Sequence, residues 1–519
     1  MLLSLPLTLL ALCAQSGADL YHIDGQYANG ALGGAIAAIE DLTGDGINEI
    51  LIGGERYSSS ASTLLVSGAD GSLLHSFGTP PHGEAVADCG DVNGDGVHDV
   101  IIGDIFAPAT PIKAGKAWVY SGAAPYALIY EFVGTQADQY LGGAVTGMGD
   151  LNGDGFDDFA IGSWGKHTPT AFAGMVQIHS GFDGNVIQTI NGTVDHGYFG
   201  ESISFIADAD GDGLNDLLIG ATGEGSIGRE GVAYLYSGGS GALLQSWQGA
   251  VYNDRMGHKV ANAGDVNGDG IGDALVSAFF AGGNGEAFVY SGADGSELIR
   301  VRGFGPGEVM GRSLAGGYDL DSDGHDDFMV GSDHFYVSGG YTGFVRVFSG
   351  RTGDMMQLYT GGSATARLGV GVEMLGDVNG DGISDLAAGA MDEDTPNGAE
   401  SGRVFVYSGV RKGLLLEVRD LAGGDYPAIR LSGCSSTSAA VFAYSLTGPG
   451  PSGSPFGPVD LTPPITNLPP ISCNADGTAN LTLGALNPSA SGMLVWAQAA
   501  ELYAAGGGQL SHSLALRVR

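Results

Sequence analysis

Short apolar runs closed by glycine recur along this chain, among them EILIGG at 49–54, DVIIGD at 99–104 and DLLIGA at 216–221. Runs of that length with a glycine stop read as buried strands rather than helices. Around residues 202–249 the order is SISFIAD, a polar Asp/Gly loop, DLLIGA, GVAYLYSG and ALLQSWQG. One unit therefore holds four apolar stretches. The third and fourth are joined by an aromatic-Ser-Gly-x-x-Gly signal, as in HSGFDG at 179–184, YSGADG at 290–295 and FSGRTG at 348–353. Asp-Gly at the tip suits a tight hairpin turn.

The polar loop between the first two stretches repeats more strictly than the strands. It starts at Asp41, Asp91, Asp150, Asp208, Asp265, Asp319 and Asp377, at intervals of 50, 59, 58, 57, 54 and 58 residues. A period this regular means one structural unit used many times. Four strands in such a unit match a propeller blade, and closing the blades into a ring covers sheet faces and edges that a lone blade leaves open. The expected fold is all-β, a seven-bladed β-propeller over residues 19–411. There is one fourth strand too many. Either LYHIDG (20–25) or LLLEV (414–418) completes the last blade, and LYHIDG is the preferred choice.

Each loop offers oxygen at positions 1, 3, 5 and 9, a carbonyl at position 7 and glycine at position 6. This is the pattern of a calcium loop. The second copy supplies Asp91, Asn93, Asp95, the Val97 carbonyl and Asp99; the third, Asp150, Asn152, Asp154, Phe156 and Asp158. The fourth supplies Asp208, Asp210, Asp212, Leu214 and Asp216; the fifth, Asp265, Asn267, Asp269, Ile271 and Asp273. The sixth supplies Asp319, Asp321, Asp323, His325 and Asp327; the seventh, Asp377, Asn379, Asp381, Ile383 and Asp385. The first departs, with Asp41, Thr43, Asp45, Ile47 and Glu49, and is expected to be the weakest site. Up to seven Ca²⁺ ions are expected. An EF-hand would place a bidentate Glu at position 12; here that position is Ile52, Ile102, Ile161, Ile219, Val276, Val330 and Ala388, inside the following strand.

The repeat resembles the FG-GAP repeat of integrin alpha-subunit propellers. Phe199-Gly200 matches its "FG" and Gly220-Ala221 the start of its "GAP". Leu141-Gly142, Met256-Gly257, Met310-Gly311 and Leu368-Gly369 stand for "FG" elsewhere. The resemblance covers about residues 20–418. It implies calcium loops on one face and partners on the other, docking through loops such as 104–117, 163–173 and 278–284.

Composition narrows the function. With 20 basic against 58 acidic residues the net charge is −38. That excludes a backbone binder of nucleic acid and disfavours anionic membranes. Twenty-three of the acidic side chains are loop ligands, so much of the charge is metal-site chemistry. Residues 1–18, MLLSLPLTLLALCAQSGA, read as a signal peptide cleaved near Ala18, too short to span a bilayer. A secreted, extracellular or cell-surface location follows as the expectation, with no transmembrane segment. Residues 412–519 lack the repeat. Eight of the 19 prolines fall in 449–470, and strand-like runs surround them. A small C-terminal β-sandwich-like domain with a Pro-rich connection is expected there. Cys434 and Cys473 are candidates for one disulfide, and Cys89 for a buried thiol.

No HExxH or GxSxG motif occurs, and histidines such as His82, His98, His167 and His258 are scattered. The leading reading is a monomeric, non-enzymatic binding or adhesion module for an extracellular protein or glycan. Tyr57, Trp164, Phe279, Phe280 and Tyr336 are its candidate exposed aromatics. A structural envelope or matrix protein is one alternative. A glycan-directed lyase or hydrolase is another, needing His, Tyr and Lys or Arg gathered on the ring axis.

Overall fold

The computed structural model describes residues 19–54, 63–78 and 81–409, apart from positions 168, 227, 304–306, 322, 335, 338–339 and 364, and backbone strands beyond 409. The signal-peptide segment, Tyr57, Cys434 and Cys473 lie outside the described residues.

Seven four-stranded antiparallel sheets occupy residues 19–409. Blade 1 runs Leu32–Ile39, Glu49–Gly54, Leu64–Val66 and Leu73–Ser76. Blade 4 runs Ser202–Ile206, Asp216–Ala221, Val232–Tyr236 and Leu243–Gln248. The first strands of all seven blades adjoin one another in sequence around the ring, and Leu32–Ile39 meets Leu368–Gly376 of blade 7 to close it. The ring axis is therefore lined by first strands.

The second strands are buried at every position, for example Asp99–Asp104, Asp158–Ser163 and Asp327–Ser332. This is why they read as continuous apolar runs. The fourth strands alternate with solvent, as Leu243–Gln248 does. Core clusters form between blades. Leu218, Leu235 and Trp247 of blade 4 pack with Val260, Val276 and Phe288 of blade 5. Burying each sheet face on the next blade supplies the apolar contact that one sheet lacks.

Blade 7 takes its fourth strand from the N-terminal side. Asp19–Asp24 pairs antiparallel with Arg403–Tyr407. Arg403 Nε donates to Asp24 Oδ1 at 2.6 Å, and the Gly25 N–H donates to the Gly402 carbonyl at 2.8 Å. Of the two candidate strands, LYHIDG closes the ring. The competing segment, as Leu415–Arg419, pairs with Ala428–Ser432 in a separate three-stranded sheet completed by Thr478–Thr482.

That sheet belongs to a second compact unit beyond Gly409. There Ala439–Ser445 and Leu494–Leu502 pair at the centre of another sheet. Pro449–Ser454 and Gly457–Leu461 form a hairpin within the proline-rich stretch. The side-chain packing that a sandwich requires lies outside the described residues.

Among the described residues no helix is long and apolar enough to cross a membrane.

Candidate metal centres and the opposite face

Each polar loop joins a blade's first strand to its second, so all seven emerge at one end of the ring. The glycine at position 6 has φ between +84° and +90° in every copy, Gly46 through Gly382. A Cβ there would meet open space. The constraint is the left-handed backbone, not crowding.

The first carboxylate of the loop is a hub for the turn. Asp91 Oδ1 accepts the N–H groups of Gly94 and Asp95 at 2.7 and 3.0 Å, and Oδ2 accepts that of Gly96 at 2.8 Å. Asp150, Asp265 and Asp377 do the same. The fifth residue fixes the seventh peptide. Asp95 Oδ1 accepts the Val97 N–H at 3.0 Å, and Asp45, Asp154, Asp212, Asp269 and Asp381 hold Ile47, Phe156, Leu214, Ile271 and Ile383 alike.

The ninth residue is buried in all seven loops: Glu49, Asp99, Asp158, Asp216, Asp273, Asp327 and Asp385. Asp99 Oδ2 accepts the Val92 N–H and Oδ1 the Gly122 N–H, both at 3.0 Å. Gly122 belongs to the Ser-Gly of the third-to-fourth hairpin. Gly181, Gly238, Gly292, Gly350 and Gly409 make the same bond in their blades. The recurring Ser-Gly is thus a strap onto the loop as well as a turn signal. Its serine also reaches the fifth residue, as Ser180 Oγ does to Asp154 Oδ2 at 3.2 Å.

Burial, with carboxylates of the same loop nearby, pushes these ninth groups up: Asp99 and Asp273 to about 7, Asp327 to about 8, Asp158 and Asp385 to about 6. Asp216 and Glu49 are raised for the same leading reason.

In three loops the carboxylates converge. Asp41, Asp45 and Glu49 present oxygens within 4.8 Å of one another, as do Asp208, Asp210 and Asp216, and Asp319, Asp321 and Asp327. In the other four an asparagine stands at position 3, and its amide donates to the ninth carboxylate, as Asn93 Nδ2 does to Asp99 at 3.0 Å. Asn152, Asn267 and Asn379 repeat this contact. Two buried oxygens, Glu49 Oε1 and Asp208 Oδ1, have no hydrogen-bond donor. Donorless carboxylate oxygens turned into an all-oxygen loop fit a hard divalent cation. In the first loop Thr43 stands beside Glu49 and favours its charged form.

Position 8 was not singled out in the sequence, yet it ties neighbouring loops together. Asp157 Oδ2 accepts the Asp91 N–H at 2.8 Å, and Asp326 Oδ2 that of Asp265 at 2.8 Å. Asn48 and Asn215 donate to the Leu375 and Met148 carbonyls. His98 bridges Asp88 and Glu40 at 2.9 Å each, and the Asp88 hydrogen bond raises it to about 9. His325, at position 7, reaches back to the Val266 carbonyl at 2.8 Å. The only sequence signal was a polar residue repeated just before the buried ninth carboxylate.

The axis encloses a cavity of about 770 Å³, with Glu40, Asp88, His98, Asp157 and Glu373 among its lining. Its walls are acidic, and His98 is the one histidine lining it; no Lys or Arg lines it among the described residues.

The loops that follow the second strands emerge at the other end. There Trp164 is half-buried and stacks on Tyr140, ring centroids 4.0 Å apart at 7°. Phe280 is 37% exposed beneath the Arg255 guanidinium. Phe279, expected to be exposed, is buried at 8% against His258 and Phe280. The two rings meet in an irregular turn, and only Phe280 reaches solvent. The Tyr336 side chain and Tyr57 lie outside the described residues.

The comparisons agree with this geometry. The FG-GAP repeat family matches residues 199–242, 310–348 and 373–407. Integrin alpha-4 of Xenopus laevis is 34% identical over 148 residues, 26% of this chain and 14% of that protein. Integrin alpha-5 of Xenopus laevis is 31% identical over 218 residues, 38% and 20% of the two chains. Integrin alpha-PS2 of Drosophila melanogaster is 31% identical over 230 residues, 38% and 16%. The chain thus matches a fifth or less of each relative's length. Its ring of seven blades is an integrin alpha-like FG-GAP repeat β-propeller.

Proposed function

We propose that this protein is an exported, calcium-stabilised β-propeller that acts as a non-enzymatic binding or adhesion module. The observation that carries the reading is a loop repeated seven times with a buried ninth carboxylate, whose carboxylates converge in three of the copies. The ligand residues are those at positions 1, 3, 5, 7 and 9 of each loop, from Asp41 to Asp385. A divalent cation would neutralise carboxylates that burial otherwise drives towards protonation. Its role is structural, because the loops join strands deep in the ring and are tied to one another through position 8.

The binding role rests on the likeness to integrin alpha proteins and on the loop face opposite the metal end. Loops on a rigid scaffold are where recognition concentrates. An extracellular protein or glycan is the partner class, and a monomer is the working form.

The test is a binding screen of the full chain against extracellular proteins and glycans, in calcium and in EGTA. Calcium-dependent capture of a defined ligand supports the reading. Metal-free protein that is equally stable and binds equally well would overturn it.

A further inference from the structure

On the face opposite the metal loops, blades 3, 4 and 5 enclose a pocket of about 300 Å³, and Tyr140, Trp164, Phe172, Tyr198, Arg229 and Arg255 line it. This is the low end of the range for small-ligand sites. The four aromatic residues brace one another. Trp164 lies flat on Tyr140, Tyr198 meets Trp164 edge-on at 5.8 Å, and Phe172 meets Tyr198 at 6.1 Å. Rings held this way lose little freedom when a ligand arrives.

Tyr140, Phe172, Tyr198, Arg229 and Arg255 all have φ between +48° and +57°. The left-handed region is unfavourable for a bulky side chain and is better tolerated by Gly or Asn. The left-handed turn itself belongs to the repeat: the corresponding position ahead of the first strand is Ala31 in blade 1, Val309 in blade 6 and Arg367 in blade 7, at φ of +48°, +51° and +53°. Blades 3, 4 and 5 instead place Tyr140, Tyr198 and Arg255 there, at the pocket.

The charge is local and reversed. In a chain of net −38, Arg229 and Arg255 both face this pocket. Among the described residues neither makes a salt bridge. Arg255 is steadied over the Phe280 ring at 5.0 Å. The one carboxylate in the wall, Glu201, is engaged by the Thr222 hydroxyl. Arg255 itself, with Lys259 and Arg312, stands within electrostatic range of Glu201, so the positive groups outnumber the one carboxylate at this wall.

We propose that this pocket binds a uronate unit of an acidic polysaccharide, its ring against the Trp164, Phe172 and Tyr198 wall and its carboxylate on Arg229 and Arg255. Guanidinium groups pair with carboxylates through two parallel hydrogen bonds. A pyranose presents a flat C–H face to an aromatic ring, which an acidic peptide side chain does not, so the wall favours the sugar. The inference deepens the binding reading above by naming the ligand class.

The full chain in calcium is titrated calorimetrically with a hyaluronan tetrasaccharide, its carboxyl-methyl ester and a poly-glutamate peptide. Binding of the acid form, loss of binding to the ester, and at least tenfold weakening in Arg229→Gln, Arg255→Gln and Trp164→Ala with unchanged calcium content support the proposal. Arg229 is exposed, so Arg229→Gln keeps the test decisive if another variant fails to fold. No binding of the acid form, equal binding of the ester, or tighter binding of poly-glutamate would overturn it. Capture of another extracellular partner without the tetrasaccharide sinks this inference alone. Uronate binding that persists with no bound calcium sinks the calcium reading instead.

Discussion

Gly220 of blade 4 lies so close to Gly257 of blade 5 that a Cβ on Gly220 would overlap the Gly257 carbonyl oxygen. Gly257 is the glycine of Met256-Gly257, and Gly220 begins the Gly-Ala that follows the fourth loop. The same pair of backbones meets at Gly103 and Gly142, Gly162 and Gly200, Gly331 and Gly369, and Gly389 and Gly33. The repeat's two glycines are therefore one contact seen from neighbouring blades. At the blade 5–6 junction Ser277 replaces the first of them. Its Oγ accepts the Lys259 N–H at 3.0 Å. Gly220→Ala is expected to destabilise by about 1–3 kcal/mol, the cost of forcing extra atoms into a packed junction. Ser277→Ala removes that bond and the longer one that Ser277 Oγ donates to the Lys259 carbonyl at 3.4 Å, and should cost about 1 kcal/mol. Thermal melts of both variants check this; equal, small shifts would mean that the glycine contact is slack.

Calcium should raise the Tm and EGTA should lower it. An ion that binds only the folded loop stabilises by about 2.7 kcal/mol per site at a hundredfold excess over Kd. Asp212→Ala removes a fourth-loop ligand and should lower the bound calcium by one ion. Purified protein with no metal and an EGTA-insensitive Tm would remove the basis of the assignment.

The same loops set a pH dependence. Without metal, the fold raises Asp99, Asp273 and Asp327 to about 7, 7 and 8, above the ordinary carboxylate value. The folded chain then holds more protons than the unfolded chain between about pH 4 and 8, so metal-free stability falls as pH rises through that window. Calcium requires the deprotonated form, and its affinity should fall as pH is lowered through the same range. The gap in Tm between calcium and EGTA samples is expected to be wider at pH 8 than at pH 5.5. A gap that is constant, or wider in acid, contradicts the role given to the ninth carboxylates.

The blades were legible because two periods coincided: apolar runs closed by glycine, and loops with oxygen at alternate positions. Ring closure was open on pattern alone, since LYHIDG and LLLEV are both short apolar segments. Pairing with Arg403–Tyr407 decides it, and a pairing partner some 380 residues away leaves no local trace. The blade 1–2 contact uses Gly83, preceded by His82 where other copies have Leu, Met or Phe, so the apolar-Gly signal was hidden there. Around Trp164 the tryptophan stood out, but Tyr140, Phe172, Tyr198, Arg229 and Arg255 come from separate loops of three blades. Only closure of the ring brings them together. Phe279 and Phe280 show the finer limit, for in an irregular loop no period says which ring turns inward.

The first loop offers a test of the ligand reading itself. Thr43 supplies a neutral hydroxyl where other loops supply an amide or carboxylate, and it is drawn to Glu49. Glu49 Oε2 accepts the Leu42 N–H at 2.6 Å, and Oε1 has no donor. This loop should fill last in a calcium titration. Thr43→Asp adds a carboxylate beside Asp41 and Asp45, which tightens the site when calcium is present and adds repulsion when it is absent. The variant should therefore melt higher than the parent in calcium and lower in EGTA. A shift of one sign in both conditions would mean that residue 43 is not a ligand position.

The two ends of the ring should respond differently to mutation. Phe280, half-exposed under Arg255, sits at the end built from loops of unequal length. Asp294 is exposed at the tip of a third-to-fourth hairpin, at the metal end, and caps only the Ser296 N–H. An aromatic hot spot at an interface typically costs more than 1 kcal/mol when truncated. A rim charge far from the partner changes little beyond the salt-screened field. Phe280→Ala is therefore expected to weaken partner or cell-surface binding by about tenfold, and Asp294→Lys to leave it within about twofold. Calcium content, measured in parallel, should match the parent in both. Normal binding by Phe280→Ala together with loss of binding in Asp294→Lys would place the partner on the metal end and reverse the orientation argued here.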